Sequence, residues 1–261
     1  MEWMYAGASK SWKGSKSSKC SENRKDPGSD VSGSDVMKID CRDLSVREIN
    51  RMLKEAVKNG EKRIVLKNPG AKHYIGAGLV GEVEVEIKGS VGFFVATMAH
   101  QPRIVVEKNA GWFAGDNMTD GYLEIKGNAG DGVGQGIYGG VIVVRGDAGA
   151  RTGEIMKNGT IIIGGDSDFM TGLYMMGGKM VVLGNLRSMA GESIVRGVIY
   201  VKGEVESLGK NAKIVEIDEK DEEWLKDVLK KYDFNSSTSG FRKIVPIRKR
   251  FVYGSAPSEE G

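Results

Sequence analysis

Gly121 to Arg196 reads GYLEIKGNAGDGVGQGIYG, GVIVVRGDAGARTGEIMKN, GTIIIGGDSDFMTGLYMMG and GKMVVLGNLRSMAGESIVR, one nineteen-residue pattern written four times. A fixed period near twenty residues marks a chain that stacks coil on coil, because no single coil can bury a core alone. The register extends back through Pro102 to Asp120 and Val83 to Gln101, loosely through Ile64 to Glu82, and forward into the first half of Gly197 to Val215. Position seven holds Gly89, Gly127, Gly146, Gly165, Gly184 and Gly203, with Lys108 the exception. Position fourteen holds Gly115, Gly134, Gly153, Gly172 and Gly191 after Ala96. Glycine at a fixed offset marks a corner that needs positive φ or close backbone approach.

Positions three and five are apolar throughout, from Val85 and Ile87 to Ile199 and Val201, which is the alternation of a strand with one face buried. Position seventeen repeats Met118, Ile137, Met156, Met175 and Ile194 as a further inward column. No line has room for a helix between its glycines, so leucine-rich, ankyrin and helical-pair repeats are excluded. The expected fold is all-β: a single-stranded right-handed parallel β-helix of about seven to eight coils, roughly 35 Å long at about 4.8 Å per coil.

The expected organisation is a disordered tail over 1–36, a helical cap over 37–63, the β-helix over 64–215, and a C-terminal helix and tail over 216–261. Ser45-Val46-Arg47-Glu48 is a capping box that opens an amphipathic helix carrying Ile49, Leu53, Ala56 and Val57. Asp221 to Tyr232, with Trp224, Leu225, Val228 and Leu229 on one side, reads as a second helix. One helix is expected over each end, where unpaired strand edges need cover. The segment FRKIVPIRKRFVYG after Gly240 is expected to lie along the body, its bases Arg242, Lys243, Arg248, Lys249 and Arg250 forming a solvated strip.

Lys and Arg number 38 against 35 Asp and Glu, which argues against nucleic-acid and membrane partners. Only Cys20 and Cys41 are present, too few for a disulfide framework or a thiolate metal site, so a cytoplasmic location is expected. The chain lacks an apolar run long enough to cross a bilayer as a helix.

Gly134-Gln135-Gly136-Ile137-Tyr138-Gly139 fits the dinucleotide pattern G-x-G-x-x-G, but a strand, Val141 to Val144, follows where that pattern needs a helix N-terminus. Gly177-Gly178-Lys179 lacks the hydroxyl residue of a phosphate loop, and Lys179 is read as an outward strand residue. The short polar residues at position eight, Ser90, Asn109, Asn128, Asp147, Asp166 and Asn185, are expected to bond nearby backbone. His73 and His100 have no partner at metal spacing, and Asp116, Asp120, Asp131 and Glu154 are scattered acids. No residue is given a catalytic, cofactor-binding or metal-ligating role.

One feature points outward. Position four starts polar, with Glu86 and Glu124 either side of Val105, then turns apolar as Val143, Ile162, Val181 and Tyr200, joined at position two by Val141 and Val198. An apolar strip on a polar rod is a candidate protein interface, unless the chain's own helix or the segment around Ile244 folds over it.

The glycine-corner series GNAGDGVGQGIYGGVIVVRGDAGARTG and DFMTGLYMMGGKMVVLG resembles the GXGXG β-helix domain over about Ile64 to Lys210. That domain ends the large subunit of glutamate synthase and also forms the C subunit of formylmethanofuran dehydrogenase. Asn68-Pro69-Gly70-Ala71-Lys72-His73, Gly89 to Phe94 and Val205 to Gly209 are most similar to the separate β-helix subunits of archaeal-type glutamate and N-methylglutamate synthases. Asp168 and Arg187 replace glycine at position ten, which favours the synthase side. The resemblance implies a non-catalytic scaffold in glutamate biosynthesis and ammonia assimilation, docking a glutamine amidotransferase and an FMN-dependent synthase. FMN and an iron–sulfur cluster are then expected on those partners and no cofactor on this chain. Self-association, the formylmethanofuran role and a free-standing carbohydrate-binding or carbohydrate-active β-helix are the alternatives.

Overall fold

Each nineteen-residue period contributes one short strand to a single growing sheet. A computed structural model describes residues 36–248. The readings placed on the remainder of the 1–36 tail and on Lys249 and Arg250 concern residues outside that range. The sheet runs from β1 (Met37–Asp40) and β2 (Arg63–Lys67) through β3 (Glu84–Lys88), β4 (Arg103–Val106), β5 (Tyr122–Ile125), β6 (Val141–Val144), β7 (Thr160–Ile163), β8 (Lys179–Val182) and β9 (Val198–Val201), all parallel. From β3 onward, partners lie one period apart, so Ile104, Leu123, Ile142, Ile161, Met180 and Ile199 form one column. The architecture is the expected all-β parallel β-helix.

Columns three, five and seventeen point inward and are sealed, with Leu123, Ile125, Ile142, Met156, Ile161 and Met175 all fully buried. Each such side chain is worth about 1.5–3 kcal/mol relative to exposure, which a short coil realises only against its neighbours. A second column of parallel bridges links Val91, Ala110, Ala129, Ala148, Ser167, Leu186 and Val205 at position nine.

The polar residues at position eight tie coil to coil. The backbone N–H of Asn128 donates to Asn109 Oδ1 at 2.9 Å, that of Asp147 to Asn128 Oδ1 at 3.0 Å, that of Asp166 to Asp147 Oδ1 at 2.8 Å and that of Asn185 to Asp166 Oδ1 at 2.7 Å. This explains position seven. A Cβ on Gly127, Gly146 or Gly165 would fall about 2 Å from that same oxygen, so the glycine clears space for the acceptor and needs no unusual φ.

The first helix, α1 (Val46–Lys58), opens with the expected capping box: Glu48 N–H donates to Ser45 Oγ, and Ser45 N–H donates to Glu48 Oε2 at 2.8 Å. Ile49, Leu53 and Ala56 join the rod's core and close its first coil. The region before β2 also holds β1, which adds a rung that the helical reading of 37–63 omits.

The far end is built differently from expectation. After β10 (Ala212–Glu216), the second helix α2 (Glu219–Lys231) lies along the flank, with Leu225 and Leu229 packed against Val143, Ile162, Val181 and Tyr200. β11 (Arg242–Pro246) is inserted antiparallel between β9 and β10, with Ile244 opposite both Ile199 and Ile214, so β10 is the edge strand. The FRKIVP segment thus does lie along the body, as a strand. Ile244 continues the core column past Ile199, with Ile214 packed beyond it, and the apolar side of α2 is drawn to the larger apolar surface on the flank.

Candidate functional site

The rod has three outward regions: the polar half of the sheet face, the half beneath α2, and the arc of each coil between positions eleven and eighteen. The candidate strip belongs to the second. Val143, Ile162, Val181 and Tyr200 are buried, and Val141 and Val198 are half-buried, all in one cluster with Trp224, Leu225, Val228, Leu229 and Phe241. The strip is therefore covered by the chain's own helix rather than presented to a partner, because Leu225 and Leu229 recur at helical spacing and fit over it.

Polar contacts fix that helix in place. Tyr200 Oη donates to Asp221 Oδ1 at 2.7 Å, and Lys243 reaches both Asp218 and Asp221. Burial, then the Asp221 bond, raise the Tyr200 hydroxyl far above the ordinary tyrosine range. Burial works to raise the Asp221 carboxyl, yet donation from Lys243 and Tyr200 holds it below the usual carboxylate value. Lys179 does point outward, its Nζ 4.0 Å from the Trp224 ring centroid, and burial lowers its pKa.

Over β2–β5 the same face carries Arg63, Glu84, Glu86, Lys88, Arg103, Glu107, Glu124 and Lys126, paired among themselves. The halves meet at Glu124, which accepts from Tyr122 Oη at 3.0 Å and from Arg145 Nε at 2.7 Å, while Arg145 also donates to the Tyr232 carbonyl at 2.6 Å. Burial, with Glu124 beside it, pushes the Tyr122 hydroxyl up to about 12.

The arc is where the backbone is unusual. Positions twelve, fourteen and sixteen are left-handed in each of seven coils: Tyr74, Gly76 and Gly78 in the first, Gly132, Gly134 and Gly136 in the fourth, Met189, Gly191 and Ser193 in the last, with φ between 50° and 76° throughout. The sequence Gly132-Val133-Gly134-Gln135-Gly136 is the one coil in which glycine fills all three. Gly134 is favoured twice over, by its positive φ and because a Cβ there would come within 2.5 Å of Ile161 Cδ1, whereas Ala96 takes the same position two coils earlier in the rod at φ 56°. Elsewhere positions twelve and sixteen accept side chains in this region, and they all point outward. Sequence reasoning found the middle glycine only, because the flanking two are occupied by other residues in most coils.

Side chains at positions eleven and twelve make two ring ladders. His73, Phe93 and Trp112 stack at 4.5 and 4.8 Å between centroids, and Tyr74, Phe94 and Phe113 stack at 4.9 Å. Each ring lies over the next coil's backbone: a Cβ on Gly111 would meet Phe93, and one on Gly130 would meet Trp112. The ring faces are thus covered and their edges face outward. Of the eight most exposed large apolar side chains among the described residues, seven lie on this arc: Tyr74, Val80, Met98, Trp112, Tyr138, Phe169 and Tyr174.

The remaining sequence candidates fall apart in space. Asp116 is buried, accepting from Thr97 Oγ1 at 3.0 Å and from Asn117; Asp131 accepts from Ala150 N–H at 3.1 Å. Asp120 bonds Gly121 N–H, and Glu154 lies two coils beyond Asp116 in the same column. His73 Nδ1 accepts from Phe93 N–H at 2.8 Å, and His100 meets Thr119 Oγ1 at 3.0 Å. The amides of Gly134 and Gly136 donate to the Ala114 and Glu154 carbonyls, so the G-x-G-x-x-G amides serve the stack. No helix among the described residues is long and apolar enough to cross a membrane.

A family model described as "GXGXG motif" matches residues 42–245, which spans α1, the rod from β2 onward and nearly all of β11. No curated protein matches the chain.

Proposed function

Because the chain belongs to the GXGXG family, we propose that it is the non-catalytic scaffold of a glutamate synthase-like oxidoreductase complex, holding a glutamine amidotransferase and an FMN-dependent synthase in register. FMN and an iron–sulfur cluster reside on those partners in this reading, and the complex is cytoplasmic. The observation that carries it is how the rod spends its residues. Its inward columns, corner glycines and position-eight ladder all serve coil stacking, so what it offers to chemistry is a rigid length with open faces. Since α2 covers the position-four strip, the partners are assigned to the uncovered polar half of the sheet over β2–β5.

Reconstitution tests this. Candidate amidotransferase and FMN-dependent synthase subunits are mixed with and without this chain, and glutamine-dependent glutamate formation is followed together with ammonia released to solution. Three-way co-elution, faster transfer and less free ammonia are expected when the chain is present. Equal rates and equal ammonia loss without it would overturn the reading.

A further inference from the structure

Column twelve of the arc is ordered like a palindrome of complementary halves. Along the rod it runs Tyr74, Phe94, Phe113, then Gly132, then Arg151, Met170, Met189: three rings, one bare rung, a cation and two thioethers. Beside it, column eleven sets Phe93 and Trp112 on one side of Asp131, with Ala150 and Phe169 on the other.

We propose that this arc is the interface of a homodimer, in which a second copy lies antiparallel across it with the two-fold axis passing the rung of Gly132. Such an axis reverses the rod and keeps each column facing itself. Phe94 then meets the second copy's Met170 and Tyr74 its Met189, sulfur against the outward ring edge, while Phe113 meets the apolar stem of its Arg151, whose guanidinium stays 3.9 Å from Asp131 of its own chain. The bulky Trp112 meets the small Ala150. Glycine at the centre lets the two backbones approach, and the Asp131 carboxylates that the axis brings together in column eleven each have an Arg151 guanidinium 3.9 Å away in their own chain. Every pair occurs twice, as an isologous contact requires.

A parallel copy would oppose like rungs, and an unrelated partner would have no use for the reversal. The second copy is therefore the occupant that the column fits. Seven rungs give a face roughly 34 Å long, on the scale of a standard interface of about 800 Å² per partner. Exposure agrees, since Tyr74 and Trp112 are about half exposed in the single chain at 47% and 49%. The inference is independent of the synthase reading, because it uses the arc and leaves the polar half-sheet to other subunits.

Light scattering on the size-separated full chain at tens of micromolar should give twice the 28.2 kDa of one chain. Phe94→Asp alone and Met170→Lys alone should each weaken association by about thirtyfold or more; aspartate tolerates the left-handed backbone at 94. The double variant Phe94→Asp with Met170→Lys should recover the dimer through two new ion pairs, and circular dichroism should show all three variants folded. A monomeric wild type overturns the proposal whatever the variants do, as does a dimer that neither single change weakens. Failure of the folded double variant to re-associate overturns the antiparallel register.

Discussion

The outer face of one sheet is two different surfaces. Over β2–β5, position four reads Val65, Glu86, Val105 and Glu124 among paired Arg, Lys and Glu, and the face is left open. Over β6–β9 it reads Val143, Ile162, Val181 and Tyr200, and α2 lies upon it. Strand length, register and inward columns are the same in both. Backbone pairing therefore sets the rod, while one outward column per coil decides what rests against it. The boundary is sharp because Glu124 is buried at the seam, held by Tyr122 and Arg145.

Exchanging the character of the two halves is the hardest test of that contrast. Val181→Lys places an unpaired charge beneath α2 and should cost about 3–5 kcal/mol in denaturant unfolding. Val105→Lys, in the same column, replaces a side chain that is itself buried, but no helix lies over it and the lysine stem can carry its ammonium out beside Glu86 and Glu124, so the cost should be smaller, about 1 kcal/mol. Equal costs would mean that the halves do not differ as described.

Leu225→Ala empties the helix side of the covered half, and a loss of about 2–4 kcal/mol is expected. Hydrogen exchange should show the backbone amides of α2 and of β6–β9 losing protection while those of β2–β5 keep it. Uniform loosening along the rod would contradict the division.

At the seam, Glu124→Gln should cost about 1–3 kcal/mol, since Arg145 and Tyr122 lose a buried charged acceptor. Its effect should persist in high salt, unlike that of the exposed Lys126 and Glu107 pair.

The smallest effect is alkaline. Tyr122 is raised from 10.0 to about 12 when folded, so its contribution is intact below pH 10 and is lost as pH rises toward 12. Tyr200 is raised as well and acts in the same direction. Melting temperature should fall over that interval, and Tyr122→Phe should flatten part of the fall. An unchanged profile in Tyr122→Phe would place the titration elsewhere.

Much of this was legible from residues alone. The period, the inward columns and the Ser45–Glu48 cap are local or repeated, and repetition multiplies a weak signal. Position eight was readable as backbone-bonding, and the structure adds that its acceptors serve the next coil and thereby force the glycine at position seven. The left-handed residues at Phe94, Arg151 and Tyr174 left no sequence mark, because non-glycine side chains conceal the conformation. The open apolar arc was missed because no column is apolar throughout: Trp112 and Phe169 share column eleven with Asp131 and Ala150 between them, and Met98 shares column sixteen with Asn117 and Gly136.

The sequence by itself determined that this chain is a stack of nineteen-residue coils, because each glycine corner and each apolar pair satisfies a constraint set by its immediate neighbours along and across the period. It also showed that Val143, Ile162, Val181 and Tyr200 form an apolar strip. Only the tertiary structure decided that α2 covers the strip, that β11 slots in between β9 and β10, and that the arc lies open. Those outcomes depend on which of several apolar surfaces a helix or strand reaches once the chain has turned back on itself, and hydrophobic attraction carries no direction that a linear pattern could record.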